Sequence, residues 1–266
     1  MQYSIGELSS LLNISRDMIR YYEKQGTIQS LRDEKNNYRT YDTMDVFWLL
    51  EAMQHKSWGI KIGKISDIRS KCYIEKTDQH LTKAIHELIA ETSYRQILIE
   101  RLKEIRSRSV LMLRNLGNFW IAENEPYYSC HLVTSCGDIY DRINLSENAS
   151  RTIFSESLLP FFESGFIVQG EKTIWQMMIA KRYVESLSVN LPDDFTLMPS
   201  EICLCTHIDI GEIGKFSNKV FEVLPEYAAG HGYKKKESEE IRGILLGRGT
   251  ENGTFRRIVY ACLPIQ

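Results

Sequence analysis

Apolar positions in the first 25 residues come three and four apart in two short groups, Ile5, Leu8 and Leu12, then Ile14, Ile19 and Tyr22. That spacing predicts two short helices sharing a small core. Ser4 with Glu7 three places on forms a capping box for the first helix, and Asn13-Ile14-Ser15 makes a turn. Ser15 caps the second helix, which runs to about Gln25 and stops at Gly26. Two short helices across a turn of about three residues predict a helix-turn-helix. The next stretch, "SLRDEKNNYRTY", is polar and ends in alternating Tyr38, Arg39 and Tyr41, a hairpin wing with Asn36-Asn37 in its turn. Asp42, with Asp45 at N3, caps a third helix whose buried face is "VFWLLEAMQ", ending at Gly59. Residues 61–72 predict a fourth, shorter helix, which Gly63 weakens.

Residues 77–116 hold no proline or glycine, and Leu81, Ile85, Leu88, Thr92, Arg95, Ile99, Leu102, Ser109, Leu113 and Leu116 recur three, four or seven apart. One amphipathic helix of about 40 residues is predicted, far above the ordinary length of about 12. A stripe that long is covered by a second copy of the chain, and its polar interruptions predict an antiparallel or irregular pair.

Beyond Gly117 the pattern turns strand-rich and aromatic, with a weak internal duplication. "YYSCHLVTS" as strand, residues 146–165 as helix, and "FIVQGEK" and "TIWQMMIAKRYV" as strands make one unit. "EICLCTHID", residues 212–232 as helix, "IRGILLGR" and "TFRRIVYACLPI" make the other. Two β-α-β-β units predict one antiparallel sheet with four strands from each, both helices on one side, and a ligand cleft between the units. The fold class is therefore α+β. A winged helix-turn-helix domain is expected over 1–76, a dimerisation helix over 77–117 and a ligand-binding domain over 118–266.

Composition narrows the function classes. Hydrophobic residues make up 43% and charged residues 26%, no apolar run approaches the length of a membrane span, and no signal-peptide pattern opens the chain. A cytoplasmic protein without membrane contact is expected. Six irregularly spaced cysteines predict reduced thiols rather than a disulfide framework. Net charge is −2. Residues 1–76 hold 12 Lys and Arg against 10 Asp and Glu, the remainder 21 against 25, so a nucleic-acid role must rest on placement.

Placement supports such a role. Arg16, Arg20, Tyr21 and Lys24 share a broad face of the second helix, the helix that enters the major groove in this motif. Tyr22 beside them belongs in part to the core. Tyr38, Arg39 and Tyr41 of the wing suit flanking backbone, and Lys61 and Lys64 suit a phosphate at a helix N-terminus. With "YSIGELSSLLNISRDMIRYYEKQGTI", "NNYRTYD" and the following "WGI", residues 3–75 resemble the DNA-binding domain of the MerR family of transcription regulators. The resemblance implies a recognition helix carrying Arg20-Tyr21-Tyr22 and a wing arginine, Arg39. It departs at Thr27, where leucine is usual, and at Lys61, where a capping Ser or Thr is common. It further implies a homodimer on promoter DNA with an inverted repeat, acting with RNA polymerase by distorting the spacer.

Residues 120–265, closing in "YACLPI", resemble the gyrase-inhibitor-like (GyrI-like) effector domain of multidrug-sensing MerR regulators. This implies an aromatic pocket around a carboxylate that takes bulky lipophilic cations. Trp120, Tyr127, Phe166, Trp175, Met177, Glu201 and Tyr260 are its candidate residues, with Trp175 and Tyr260 foremost. Where some relatives place the pocket glutamate, this chain has Tyr260, so Glu201 is the nearest alternative.

Cys203, Cys205 and His207 alternate along one strand, a geometry metals use, but one strand rarely supplies three ligands to one ion. Cys72 lies near the start of the long helix without the cysteine loop of metal-sensing relatives. No metal or cofactor is expected. No nucleophile elbow, phosphate loop or paired-carboxylate arrangement is present, so a regulator is expected rather than an enzyme. The alternatives are a sensor of a neutral metabolite or metal ion, or a GyrI-like hydrolase.

Overall fold

The computed structural model describes residues 2–33, 37–64, 73–234, 236, 240–251 and 253–266. The chain divides into two compact units, Met1–Ser93 and Tyr94–Gln266.

In the first unit, strand β1 (Gln2–Ser4) leads into α1 (Ile5–Leu12), and α2 (Arg16–Lys24) follows the turn. The Ser4 hydroxyl accepts from the Glu7 amide at 3.2 Å, and the Glu7 carboxylate accepts from the Ser4 amide at 2.8 Å. Ser15 accepts from the Met18 amide at 3.1 Å. Asn13 ends α1 at a φ of 51°, and Gly26 follows α2 at 74°. The wing is β2 (Leu31–Arg32) against β3 (Arg39–Asp42), with β3 also paired to β1. Asn37 has the positive φ of a hairpin turn, and Asn36 lies outside the described residues. The helix α3 (Thr43–Ser57) opens on a capping box of Asp42 and Asp45. Leu8, Ile19, Tyr22, Ile28, Tyr41, Leu49 and Ala52 form the core. Residues 62–64 are helical, and the rest of the expected fourth helix, with Cys72, lies outside the described residues.

The long helix α4 spans Tyr73–Leu111, starting and ending earlier than its periodicity predicted. Leu113 and Leu116 fall beyond it. Leu116 instead bridges to His207, whose carbonyl accepts from the Gly117 amide. Within the first unit Leu81 and Ala84 of α4 pack on the core; within the second, Tyr94, Ile97 and Leu98 do. Ile85, Leu88, Ile99 and Leu102 of the expected stripe remain exposed.

The second unit is built on one antiparallel sheet, nine-stranded among the described residues. Its long strands are β5 (Tyr127–Cys136), β7 (Phe162–Gln169), β8 (Lys172–Ala180), β10 (Glu201–Asp209), β11 (Ile241–Glu251) and β12 (Thr254–Pro264). Across the sheet they run β5-β8-β7-β11-β12-β10, so each repeat contributes first strand, third strand, second strand, mirrored about the β7–β11 seam. Three long strands per repeat replace the expected four. The edges are completed by β4 (Phe119–Asn124) beside β10, and by β6 (Ile139–Tyr140) and β9 (Thr196–Met198) beside β5. None of the three was anticipated.

Two helical spans are shorter than their patterns implied. The first is α5 (Glu147–Ile153) followed by a 3-10 turn at Leu159–Phe161, where Pro160 cannot donate to a continuing helix. The strand ending at Ala180 gives way to α6 (Lys181–Ser186), which lets neighbouring Tyr183 and Val184 both reach the core. In the second repeat a 3-10 turn at Asn218–Phe221 precedes α7 (Val223–Gly230).

One sheet face is the core. Phe162 and Phe166 of β7 and Trp175 and Ile179 of β8 point the same way, onto Ala149 and Ile153 of α5 and Leu224 and Ala228 of α7. Both repeat helices thus cover one side, as the pattern implied. Gly243, in register with Phe166 and Ala261, is required there: a Cβ would sit 1.9 Å from the Tyr260 carbonyl and 2.6 Å from the Phe166 ring. The other sheet face meets α4.

Candidate functional sites

On the first unit, Arg16, Arg20, Tyr21 and Lys24 are exposed on α2, and Tyr38 and Arg39 on the wing. The Arg20 guanidinium meets Asp17 at 2.8 Å, and Arg39 meets Glu23 at 3.5 Å, tying the wing to α2. These contacts hold the cations over one surface while leaving them accessible. Lys61 and Lys64 are exposed as well. Tyr22 and Tyr41 are not part of this surface. Both are fully buried in the core, and burial pushes both phenols above their ordinary pKa. Arg39 and Tyr41 sit two residues apart and by alternation share a face of β3, yet Arg39 is exposed and Tyr41 buried. The short wing bends into α3 at Asp42, and the large ring closes the core instead.

In the second unit a cavity of about 790 Å³ lies between the non-core sheet face and residues 100–111 of α4. The register sets its floor. Trp120, Cys205, Cys262 and Arg242 are cross-strand neighbours in one row, and His207, Tyr260 and Ile244 form the next. The rings of Trp120, His207 and Tyr260 stand 5.2–6.1 Å apart between centroids, two of the three pairs edge-on. His207 Nδ1 is 3.0 Å from the Met112 carbonyl oxygen, and burial lowers the imidazole pKa, which that hydrogen bond only partly offsets. A neutral ring donating from Nδ1 satisfies both observations.

The wall beside α4 is a network of ion pairs. Glu163 receives Arg108 at 2.6 Å and also Arg101, a fully engulfed arginine. Burial alone would raise the Glu163 pKa, yet the two guanidinium groups hold it below its ordinary value. Glu104 takes Arg182 at 2.7 Å and the Tyr183 hydroxyl at 2.6 Å, and Arg182 also meets Glu125 at 2.9 Å. Burial raises the Glu125 pKa despite that arginine. Glu201 is not the unpaired carboxylate expected at a cation pocket: Arg242 lies at 2.7 Å and Lys236 at 3.3 Å.

Of the residues nominated for ligand binding, Trp120, Tyr127, Glu201 and Tyr260 line this cavity. Phe166, Trp175 and Met177 do not. They share the opposite sheet face, where Phe166 and Trp175 stack among Phe216 and Phe221 and the indole donates to Ser135 at 2.9 Å. Met177 packs in the neighbouring cluster with Phe162 and Ile179. Sequence reading missed Arg242, Glu163 and the α4 residues Arg101, Glu104 and Arg108. The alternation of Glu201, Cys203, Cys205 and His207 carried a usable signal, since it places four cavity-side residues on one face. Among the described residues, no group of three or more His, Cys, Asp or Glu side chains is placed to hold a metal ion. No described helix is long and apolar enough to cross a membrane.

Residues 4–41 match the model of the MerR family regulatory protein. Over 65 residues the chain is 34% identical to heavy metal-dependent transcription regulator 2 of Rhizobium meliloti (strain 1021), covering 24% of this chain and 44% of that protein. An HTH-type transcriptional regulator, HmrR, of Sinorhizobium medicae (strain WSM419) matches to the same extent. The chain thus spans less than half the length of these curated relatives. Among solved structures, the EcmrR–DNA complex in EcmrR-RPo superposes over 99% of both chains at 14% identity with a TM-score of 0.34.

Proposed function

We propose, from the MerR-family helix-turn-helix at residues 4–41, that the protein is a homodimeric, ligand-responsive transcription regulator. Each chain places Arg16, Arg20, Tyr21, Lys24, Tyr38 and Arg39 on one half of an inverted repeat in promoter DNA, with Lys61 and Lys64 on flanking phosphates. Arginine and lysine supply the sequence-independent part of such binding, and α2 in the major groove supplies the readout. RNA polymerase occupies the same promoter, and the dimer acts by bending and untwisting the spacer. Bending a site of 20–30 bp costs of order 1–6 kcal/mol, which two ligand sites per dimer are able to bias.

The observation that carries the ligand half of the proposal is the position of the cavity. It is roofed by Glu100–Leu111 of α4, and the same helix leaves Leu88 and Leu102 uncovered. A guest that rearranges the Glu104–Arg182 and Glu163–Arg108 pairs therefore acts directly on the helix offered to a second copy. The effector class we assign is an aromatic cation. Ring faces of Trp120, Tyr127 and Tyr260 attract cations, and Glu125 at the rim, exposed and held by one arginine, is the carboxylate for which a cation would compete. Glu201, already held by two cations, is a framework residue in this reading, neither the counter-charge nor a hydrolytic base.

Fluorescence anisotropy on inverted-repeat promoter DNA, with tetraphenylphosphonium and neutral triphenylphosphine oxide as probes, tests the whole reading. DNA binding at nanomolar protein, with micromolar binding of the cation and much weaker binding of the oxide, is expected. Equal binding of both probes would transfer the site to a neutral metabolite. Absence of DNA binding at low salt would remove the regulator itself.

A further inference from the structure

We propose that Cys262, in the cavity floor, and Cys203 beside it form a reactive thiol pair that captures small electrophiles of the α,β-unsaturated carbonyl and quinone class. The proposal goes beyond the regulator reading and does not depend on DNA binding.

Cys205 and Cys262 are direct cross-strand partners on β10 and β12, and Cys203 lies two residues along on the same face. All three thiols are free and buried, and Cys262 lines the cavity. Asn124 of β4 brings its amide nitrogen to 3.3 Å from the Cys203 sulfur and 3.0 Å from the Cys262 sulfur. The orientation of that amide is fixed from its other end. The Tyr260 hydroxyl donates to the Asn124 amide oxygen at 2.5 Å, which leaves Tyr260 as the acceptor of the Cys205 thiol at 2.9 Å. A half-buried amide that aims its donors at two sulfurs has little to gain from neutral thiols, which accept weakly, and much to gain from a thiolate.

The local charge agrees. The Cys262 thiol, as donor to the Cys203 sulfur, lowers the Cys203 pKa against the opposing effect of burial, and Arg242 and Lys236 add to the lowering. The proton that one member loses is held by the other, so Cys262 is raised to match. Cys205 is pushed up to about 11 by burial and stays the protonated donor of the chain. The pair therefore carries one thiolate more readily than an isolated cysteine, next to a guanidinium: Arg242 is the cross-strand neighbour of Cys262. A planar electrophile entering the cavity meets Trp120 and Tyr260 as walls.

The step balances without an oxidant. Proton transfer from Cys262 to Cys203 leaves the thiolate on the sulfur that faces the cavity. That sulfur adds to the β-carbon, a C–S bond forms, the C=C π bond breaks, and its electron pair moves to the carbonyl oxygen. The Cys203 thiol returns the proton to the resulting enolate and ends as the thiolate it began as. The net change is addition of one thiol across the double bond.

The experiment uses the full chain carrying Cys136→Ser, which removes an exposed thiol that reacts in any case. Native protein is treated with N-ethylmaleimide, quenched, digested with trypsin and quantified by mass spectrometry. Cleavage after Arg257 puts Cys262 on its own peptide, and Cys130, buried on the opposite sheet face, is the internal control. Cys262 is expected to label at least about tenfold faster than Cys130, and Cys203→Ser or Asn124→Ala to slow it by about tenfold. Tyr260→Phe, which keeps the ring but frees the amide, should slow it less. Circular dichroism melts identify variants that fail to fold. Labelling of Cys262 no faster than Cys130, or unchanged in folded Cys203→Ser, overturns the proposal. Labelling that proceeds unhindered under saturating tetraphenylphosphonium supports the thiol pair while counting against the cation reading of the cavity.

Discussion

The side chains proposed to face DNA all lie within residues 16–64 of the first unit, whereas the cavity of the second draws on residues 100–262. The first set is placed by caps and a helical period, interactions within about four residues of each other. The second exists only after seven sheet strands and a helix distant in sequence have come together. Local sites tolerate change in the core beneath them as long as the helix forms. Non-local sites move with the register of the sheet.

Breaking the α4 stripe should have the largest effect, because the proposed dimer seam and the cavity roof share that helix. Leu88→Asp or Leu102→Asp sets a carboxylate in the proposed seam and should give monomers with operator affinity reduced at least about 100-fold, read by light scattering and anisotropy. A variant that stays dimeric shows that the stripe serves another surface.

The two faces of the sheet separate next. Trp175→Ala removes a core indole and should cost about 3–5 kcal/mol of unfolding free energy without altering cation affinity in the protein that remains folded. Tyr260→Ala should show the reverse, a larger loss of affinity than of stability. Affinity loss confined to Trp175→Ala would place the ligand on the helix-covered face.

Asp138 tests how far stability of the second unit rests on one buried pair. Arg257 reaches its carboxylate at 2.6 Å, while the Gly214 and Phe216 amides donate to it. The Arg257 hydrogen bonds hold its pKa down at about 2. The folded value lies below the unfolded one, so this stability is fully present above pH about 4 and is lost as pH falls through about 2. Asp138→Asn should cost about 3 kcal/mol at pH 7 and flatten the acid limb of the stability curve.

A smaller effect is expected on the DNA side. Arg20→Ala should weaken operator binding by about tenfold and reduce the salt slope by about 0.9 if the arginine meets one phosphate. Unchanged affinity and slope would remove it from the interface. The smallest effect concerns His207. Its folded pKa is lowered by burial, so stability is unpenalised above about pH 6.5 and declines as pH falls below that value. His207→Gln should remove that dependence by about 1 kcal/mol at most, measured by melts between pH 5 and 7.

The helix-turn-helix was legible because its determinants are short-range: Ser4 and Glu7, Ser15 and Met18, Asp42 and Asp45 each meet three residues apart. The duplicated strands were legible for a similar reason, since alternation of period two is written in consecutive residues. Alternation does not say which face meets helices and which a cavity. Trp175 and Met177, both offered as ligand-binding residues, lie on the face of β8 that packs under the repeat helices and not on the cavity face. Nothing within β8 distinguishes the two sides. The choice follows from α5 and α7 covering one face and α4 the other.

What the sequence determined by itself was the helix-turn-helix with its caps, the long helix and the six long sheet strands, because those follow from contacts between near neighbours. What only the tertiary structure decided was partnership: Glu201 with Arg242 and Lys236, Arg101 and Arg108 with Glu163, Asn124 with two thiols. Each joins groups tens of residues apart, and charges at such separations are brought together by strand order and register, which the burial of the apolar faces selects.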